Sequence, residues 1–226
     1  MKTNKFLSFI CSFCLLLSCF LSAVDFWCFN NSFYAKEYKQ LKTAESIGMS
    51  EEDLNKATDV LLSYLKDRDN TLDVEANING VNRQVFNQRE SDHMIDVRNL
   101  YLGAMAIRNI SIVITVISLI VLIIRKGINH LYNGFLKALG LYGLFFLVLG
   151  TFALIDFNSF WTAFHHVFFP MNDLWLLDPR TDILIMMVPE KFFFDLVFSI
   201  IITIISILLI TWIVLKELDK RIFNHA

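Results

Sequence analysis

Two short stretches of this 226-residue chain carry side chains that could do proton chemistry. In "FNQRESDHMIDV", Glu90, His93 and Asp96 recur at intervals of three. On a helix such an interval steps the side chain round by about 60°, so the three share one broad face. In "FHHVFFPMNDLWLLDP", residues 164–179, adjacent histidines His165 and His166 open an aromatic and acidic block. Imidazole takes and gives protons near neutral pH, and a neighbouring carboxylate such as Glu90 or Asp96 can orient its ring and set its tautomer. No serine or cysteine stands in a nucleophile-elbow pattern and no glycine-rich loop suits a phosphate. The chemistry expected is therefore histidine acid or base catalysis without a protein nucleophile. A metal site is the chemical competitor, with Glu90, His93, Asp96, His165, His166 and Asp173 supplying oxygen and nitrogen. The HExxH pattern is absent, however, and the spacing matches no close-set ligand motif. The plain reading is an interfacial histidine used for packing, with Glu90 and Asp96 as solvated charges.

The elements that must position these residues are apolar. Hydrophobic residues make up 55% of the chain, concentrated in four runs at about 6–24, 109–124, 136–155 and 193–215. Each approaches the roughly 20 residues that a helix needs to cross about 30 Å of hydrocarbon. Residues 100–107 extend the second run outward. The fold class expected is mainly α, a polytopic membrane protein with four transmembrane helices and a small α+β extracytoplasmic domain. Its organisation is a first span with a short cytoplasmic N-terminus at 1–28, an extracytoplasmic domain at 29–103 and a second span at 104–124. A cytoplasmic loop at 125–135, a third span at 136–156 and an interfacial segment at 157–192 follow, then a fourth span at 193–215 and a cytoplasmic tail at 216–226.

Charge orients the spans. Lys2 and Lys5 precede the first, Arg125, Lys126 and Lys137 lie between the second and third, and Lys216, Lys220 and Arg221 follow the fourth. Residues 25–99 hold nine Lys/Arg against fourteen Asp/Glu, and 157–192 hold two against four. The positive-inside rule therefore places both termini and the 125–135 loop in the cytoplasm, with both acidic segments outside. His130 and His225 fall on the cytoplasmic side, away from the other histidines. The first run has a basic start and small residues near Ser22 and Ala23, as a signal peptide would. It reads as an uncleaved anchor, because orientation then closes with an even number of spans. Cys11 and Cys14 lie inside that apolar helix and read as packing residues, with no disulfide framework. Arg108 interrupts an apolar stretch, where a charge is costly and is usually functional or paired; Asp156, or the lipid headgroups, are its expected partners. The net charge of −2 says nothing about nucleic acid, and no basic-aromatic stripe suggests it as a partner.

The outside segments have structure of their own. Ser50 with Asp53 begins a helix whose Leu54, Ala57, Leu61, Tyr64 and Leu65 share a face. Asn79-Gly80 marks a hairpin. The Glu90–Asp96 stretch reads as a helix running into the second span. Pro170, Pro179 and Pro189 divide the later segment, whose Trp161, Phe164, Phe168, Phe169, Trp175 and Phe192 suit the headgroup level. The two histidine motifs therefore meet at one membrane surface.

The motifs "MSEEDL…LLSYL", "FNQRESDHMIDV" and "FHHVFFPMNDLWLLDPRTDILIMMVPEKFF", in that order among four spans, resemble the lipoprotein intramolecular transacylase family of bacterial membrane proteins. The resemblance runs from the first span to the last. It implies an acyltransferase of the bacterial cell membrane, active on the extracytoplasmic side. Its substrate would be the diacylglyceryl-modified N-terminus of a lipoprotein. The reaction moves the sn-2 acyl chain from glycerol oxygen to the cysteine α-amine and leaves the lyso form, with no cofactor, metal or second substrate. His93 and His165 occupy the positions of the family's two essential histidines, and His166 a position not required to be histidine. Glu90 and Asp96 are the expected supports. Arg108, Trp161, Phe164 and Trp175 are the expected contacts to substrate and membrane lipid. Another membrane lipid enzyme, such as an esterase or metal-dependent hydrolase, and a non-catalytic sensor or scaffold are the alternatives.

Overall fold

The computed structural model describes residues 2–224, with side chains to Lys220; His225 lies outside the described residues. The chain divides into two compact units. Among the described residues, four helices are long and apolar enough to cross a membrane. They are α1 (Lys2–Cys28), α5 (Gln88–Ile124), α6 (Leu131–Ile155) and α9 (Glu190–Asn224).

Of the described residues, the first unit comprises 2–26, 104–156 and 198–224. Leu16 of α1 packs with Phe135, Ala138 and Tyr142 of α6, and Leu208, Trp212 and Leu215 of α9 close round them. Gly134 lets α6 approach α1, since a Cβ there would stand 2.5 Å from the Ser8 backbone carbon. The Tyr142 hydroxyl donates to the Phe13 carbonyl at 3.3 Å. Cys11 and Cys14 are buried and unbonded to each other, and the Cys11 thiol donates to the Thr115 carbonyl. Leu144, Leu147 and Leu154 are exposed, as apolar side chains facing lipid must be. The expected 125–135 loop is shorter than its range. A 3₁₀ turn at Ile128–His130 leads into α6 at Leu131, and packing of Gly134 and Phe135 against α1 offsets the weak helix propensity of Asn133 and Gly134.

Arg108 corrects an expectation. Its guanidinium pairs with Asp25 at 2.9 Å, both side chains about a quarter exposed, and not with Asp156. Asp25 stands in the last turn of α1, which runs to Cys28, and which of two carboxylates the guanidinium meets is set by helix packing.

The second unit comprises residues 27–103 and 157–197. It contains α2 (Asn31–Leu41), α3 (Thr43–Ile47), α4 (Glu51–Leu65) and the hairpin β1 (Glu75–Ile78) with β2 (Val81–Gln84). It also holds the first four turns of α5, then α7 (Phe157–Phe168), α8 (Ile183–Met187) and the start of α9. Ser50 caps α4 by accepting from the Asp53 amide at 3.0 Å. Leu54, Ala57, Leu61 and Tyr64 of that helix are buried, so its stripe is used within the protein; Leu62 and Thr58 join them where Leu65 was expected. The strands pair antiparallel with Ile78 opposite Val81. Asn79 and Gly80 both take positive φ, 52° and 84°, the conformation that a two-residue turn of this kind demands. β1 alternates between exposed and buried, whereas β2 is exposed throughout. Phe192, fully buried at the start of α9, lies edge-on to Phe33 and tilted against Tyr34.

Candidate active site

His93 owes its position to the way α5 starts. Asn87 and Glu90 form a reciprocal capping box: the Asn87 side chain accepts from the Glu90 amide at 3.0 Å, and the Glu90 carboxylate accepts from the Asn87 amide at 2.7 Å. Capping of this kind satisfies donors that a helix N-terminus otherwise leaves bare. The other oxygen of Glu90 accepts from the Leu184 amide at 2.5 Å, at the start of α8. The Asn87 amide group donates to Asp182 at 2.8 Å, and Asp182 accepts from the Asp178 amide at 2.8 Å. Two chain segments nearly a hundred residues apart are thus latched together one turn before His93. Glu90 is wholly buried. Burial raises its pKa, opposed by the amides of Asn87 and Leu184. Burial alone would raise Asp182 also, but hydrogen bonds from Asp178, Asn87 and Thr181 outweigh it and keep the carboxyl below its usual range.

His165 is set by α7. Its Nδ1 lies 2.8 Å from the Trp161 carbonyl one turn earlier. A carbonyl only accepts, so Nδ1 carries the proton and Nε2 is left with the lone pair. Trp161 meets the imidazole edge-on at 5.0 Å, and Trp175 stacks on it at 4.8 Å and 26°. His166, the next residue, is exposed and meets Trp175 edge-on at 5.2 Å. The helix turns by about 100° per residue, so only one of two adjacent histidines can face inward.

The two buried imidazoles face each other. Their ring centroids are 6.1 Å apart at 35°, with Phe169 against both. His93 is 5% exposed and His165 8%, and Nδ1 of His93 is buried with no hydrogen-bond partner. Burial, helped by the neighbouring His165 and by Arg89 and opposed by Asp96, lowers the pKa of His93 to about 4. Burial also lowers His165, against the pull of the Trp161 carbonyl, with His166 adding to the depression. Both rings are therefore neutral at pH 7 and can accept a proton.

The remaining expected residues divide. The carboxylates turn away from the imidazoles as hydrogen-bond partners. Glu90 is used in capping, and Asp96 accepts from the Asn172 amide group at 2.9 Å. Asp96 reaches His93 only through its field. Trp161 and Phe164 stack at 5.0 Å, and Trp161 also stacks on Phe193 at 4.3 Å, which makes an aromatic wall beside His165. Among the described residues, no three His, Cys, Asp or Glu side chains converge as a metal-binding group, so the six residues considered from spacing do not assemble. Asn87, Asp182 and Asn172 were not singled out from sequence. Asn87 had a legible signal, since Asn-x-x-Glu ahead of an apolar helix is a capping pattern; the other two had none.

A family model described as lipoprotein intramolecular transacylase Lit matches residues 9–193. No curated protein matches the sequence. Among solved structures, the chain is similar to the membrane-integral lipoprotein intramolecular transacylase Lit from Bacillus cereus, with a TM-score of 0.80 and 21% identity over 100% of this chain and 99% of that one. A histidine-to-arginine variant of the Bacillus cereus protein gives a TM-score of 0.78 at 21% identity, over 100% and 96%. A histidine-to-alanine variant gives 0.77 at 22%, over 97% and 95%. At that identity the likeness establishes the fold.

Proposed function

This chain belongs to the lipoprotein intramolecular transacylase family, and we propose that the acyl transfer it carries out uses His93 and His165 as proton-transfer groups. The substrate is the N-terminal diacylglyceryl-cysteine of a mature lipoprotein. The cysteine α-amine attacks the sn-2 ester carbonyl; a C–N bond forms, the C–O bond to glycerol breaks, and one proton passes from nitrogen to the glycerol oxygen. The product is an N-acyl, monoacylglyceryl cysteine of unchanged mass. Donor and acceptor belong to one molecule, so no acyl-enzyme or cofactor is needed.

The observation that carries this reading is the facing pair of buried, neutral imidazoles. A free α-amine has a pKa near 8 and is largely protonated at neutrality, so a base must remove a proton before or during attack. His165 suits that role, since its Nδ1–H is held by the Trp161 carbonyl and leaves Nε2 to accept. His93, with an unpartnered Nδ1, hands the proton on to the departing glycerol oxygen. Holding amine and ester together supplies the rest, and such positioning is worth up to several kcal/mol. Trp161 and Phe164 line the path of the acyl chains. Following the charge asymmetry, both termini are cytoplasmic and the site lies at the outer surface of the cell membrane.

Mass spectrometry of a lipoprotein's N-terminal peptide tests the reading, in a host lacking other N-acylating enzymes. The parent chain yields the N-acyl lyso form at unchanged mass, and His93→Ala and His165→Ala variants leave the diacylglyceryl form. A peptide lighter by one acyl chain would instead identify a hydrolase. An unmodified peptide with well-expressed parent would refute transfer.

A further inference from the structure

Acyl transfer also needs something for the carbonyl oxygen. As the amine attacks, negative charge collects on that oxygen, and a donor already aimed at it is usually the largest single contribution to such catalysis. Neither imidazole is well placed to serve: Nδ1–H of His165 is committed to a carbonyl, and His93 is needed for the proton. Four buried side-chain polar atoms among the described residues lack a partner: Glu37 Oε2, Thr43 Oγ1, His93 Nδ1 and Trp175 Nε1. Of these, Trp175 Nε1 belongs to a ring stacked on His165. Indole nitrogen only donates, and a buried donor left unpaired costs stability that native proteins rarely forgo without a reason.

Trp175 does not drift there. Its loop is tied to α5, the helix of His93, at two points. Asn172 donates to Asp96 at 2.9 Å and accepts from the Leu174 amide at 3.1 Å. Arg89 donates to the Asp173 carbonyl. Turn bonds from Leu176 to the Asp173 carbonyl and from Leu177 to the Trp175 carbonyl, 3.1 and 3.0 Å, stiffen the loop. Asp96, which forms no hydrogen bond to either imidazole, thus has a reason to be on the same face as His93: it holds the loop that presents the indole.

Resting on the transacylase reading, we propose that the Trp175 Nε1–H donates to the carbonyl oxygen of the sn-2 ester and stabilises the oxyanion formed during transfer. Trp175 is then a catalytic residue, beyond the lipid contact expected of it from sequence.

The test uses purified full-length protein and a synthetic diacylglyceryl lipopeptide in mixed micelles. Trp175→Phe keeps an aromatic face against His165 and removes the donor, and Trp175→benzothienylalanine, which replaces N–H by sulfur at nearly equal volume, covers loss of folding in the first variant. Both should lower kcat by about hundredfold to thousandfold with KM within about twofold, the split that marks a contact made only in the transition state. Binding of a phosphonate analogue of the tetrahedral intermediate should move the Trp175 indole N–H proton resonance downfield. Parental kcat in the benzothienylalanine variant, or a loss confined to KM, would overturn the proposal and return Trp175 to lipid packing. A parent chain that forms no N-acyl lyso product would remove the transacylase reading itself, and the proposal with it.

Discussion

Lowering the pH interrogates the imidazole pair directly. Burial brings His93 to about 4, against an ordinary histidine value near 6.5. At pH 5 an ordinary histidine is only ~3% neutral, and one with a pKa of 4 is ~90% neutral, a difference of about 30-fold in competent enzyme. Protonation of the substrate amine shapes the profile too, but it has its own break near 8. The diagnostic is therefore the absence of a second break at 6.5. Initial rates at subsaturating lipopeptide, read by product mass between pH 4.5 and 8.5, should show the His93 break only below about pH 5 and any His165 break displaced below the ordinary histidine value. Stability carries the same signature. His93 has a depressed folded pKa, so between 6.5 and 4 the unfolded chain binds the extra proton, and stability is lost as pH falls through that window. From pH 7 to 5 the cost is about 2 kcal/mol for His93, visible as a lower Tm in detergent, and rates must be compared where the protein is still folded. A histidine break at 6.5, with a flat Tm, would refute the buried neutral pair.

Three other outcomes are expected. Glu90→Gln leaves one of the Asn87 and Leu184 amides facing an NH₂ group, so it should destabilise by about 1–3 kcal/mol; thermal melts should show this, with activity restored under conditions that restore folding. Asp25→Asn strands the Arg108 charge among apolar helices. The loss should be about 1–3 kcal/mol, below the range for fully buried pairs because both side chains keep some exposure, and a Met at 108 in the same chain should recover part of it. His166→Ala, at an exposed position, should keep kcat/KM within about twofold, the equivalent of roughly 0.5 kcal/mol, and a loss as large as that of His165→Ala would reverse the inward and outward assignment on α7.

Much of this molecule could be read along the chain because the deciding physics is local. Span length, the charge bias of the loops, the Ser50 cap and the Asn79-Gly80 turn each depend on residues within a few positions of one another. The i, i+3 recurrence of Glu90, His93 and Asp96 is a property of the helix alone. What the three side chains meet is not. Glu90 was expected to orient an imidazole and instead receives amides from Asn87 and Leu184, and Leu184 lies across the fold. Asp96 holds Asn172, another pairing between distant segments. Arg108 pairs with Asp25 and not with the expected Asp156, a choice between two carboxylates that helix packing makes and sequence spacing does not. The depressed pKa of His93 likewise needs burial in a fold that sets it beside His165 and Phe169. The identity and spacing of the histidines were determined by the sequence; which of them is buried, which nitrogen is left to react and which indole lies against them were decided by the tertiary structure, because each depends on groups brought together through space and not along the chain.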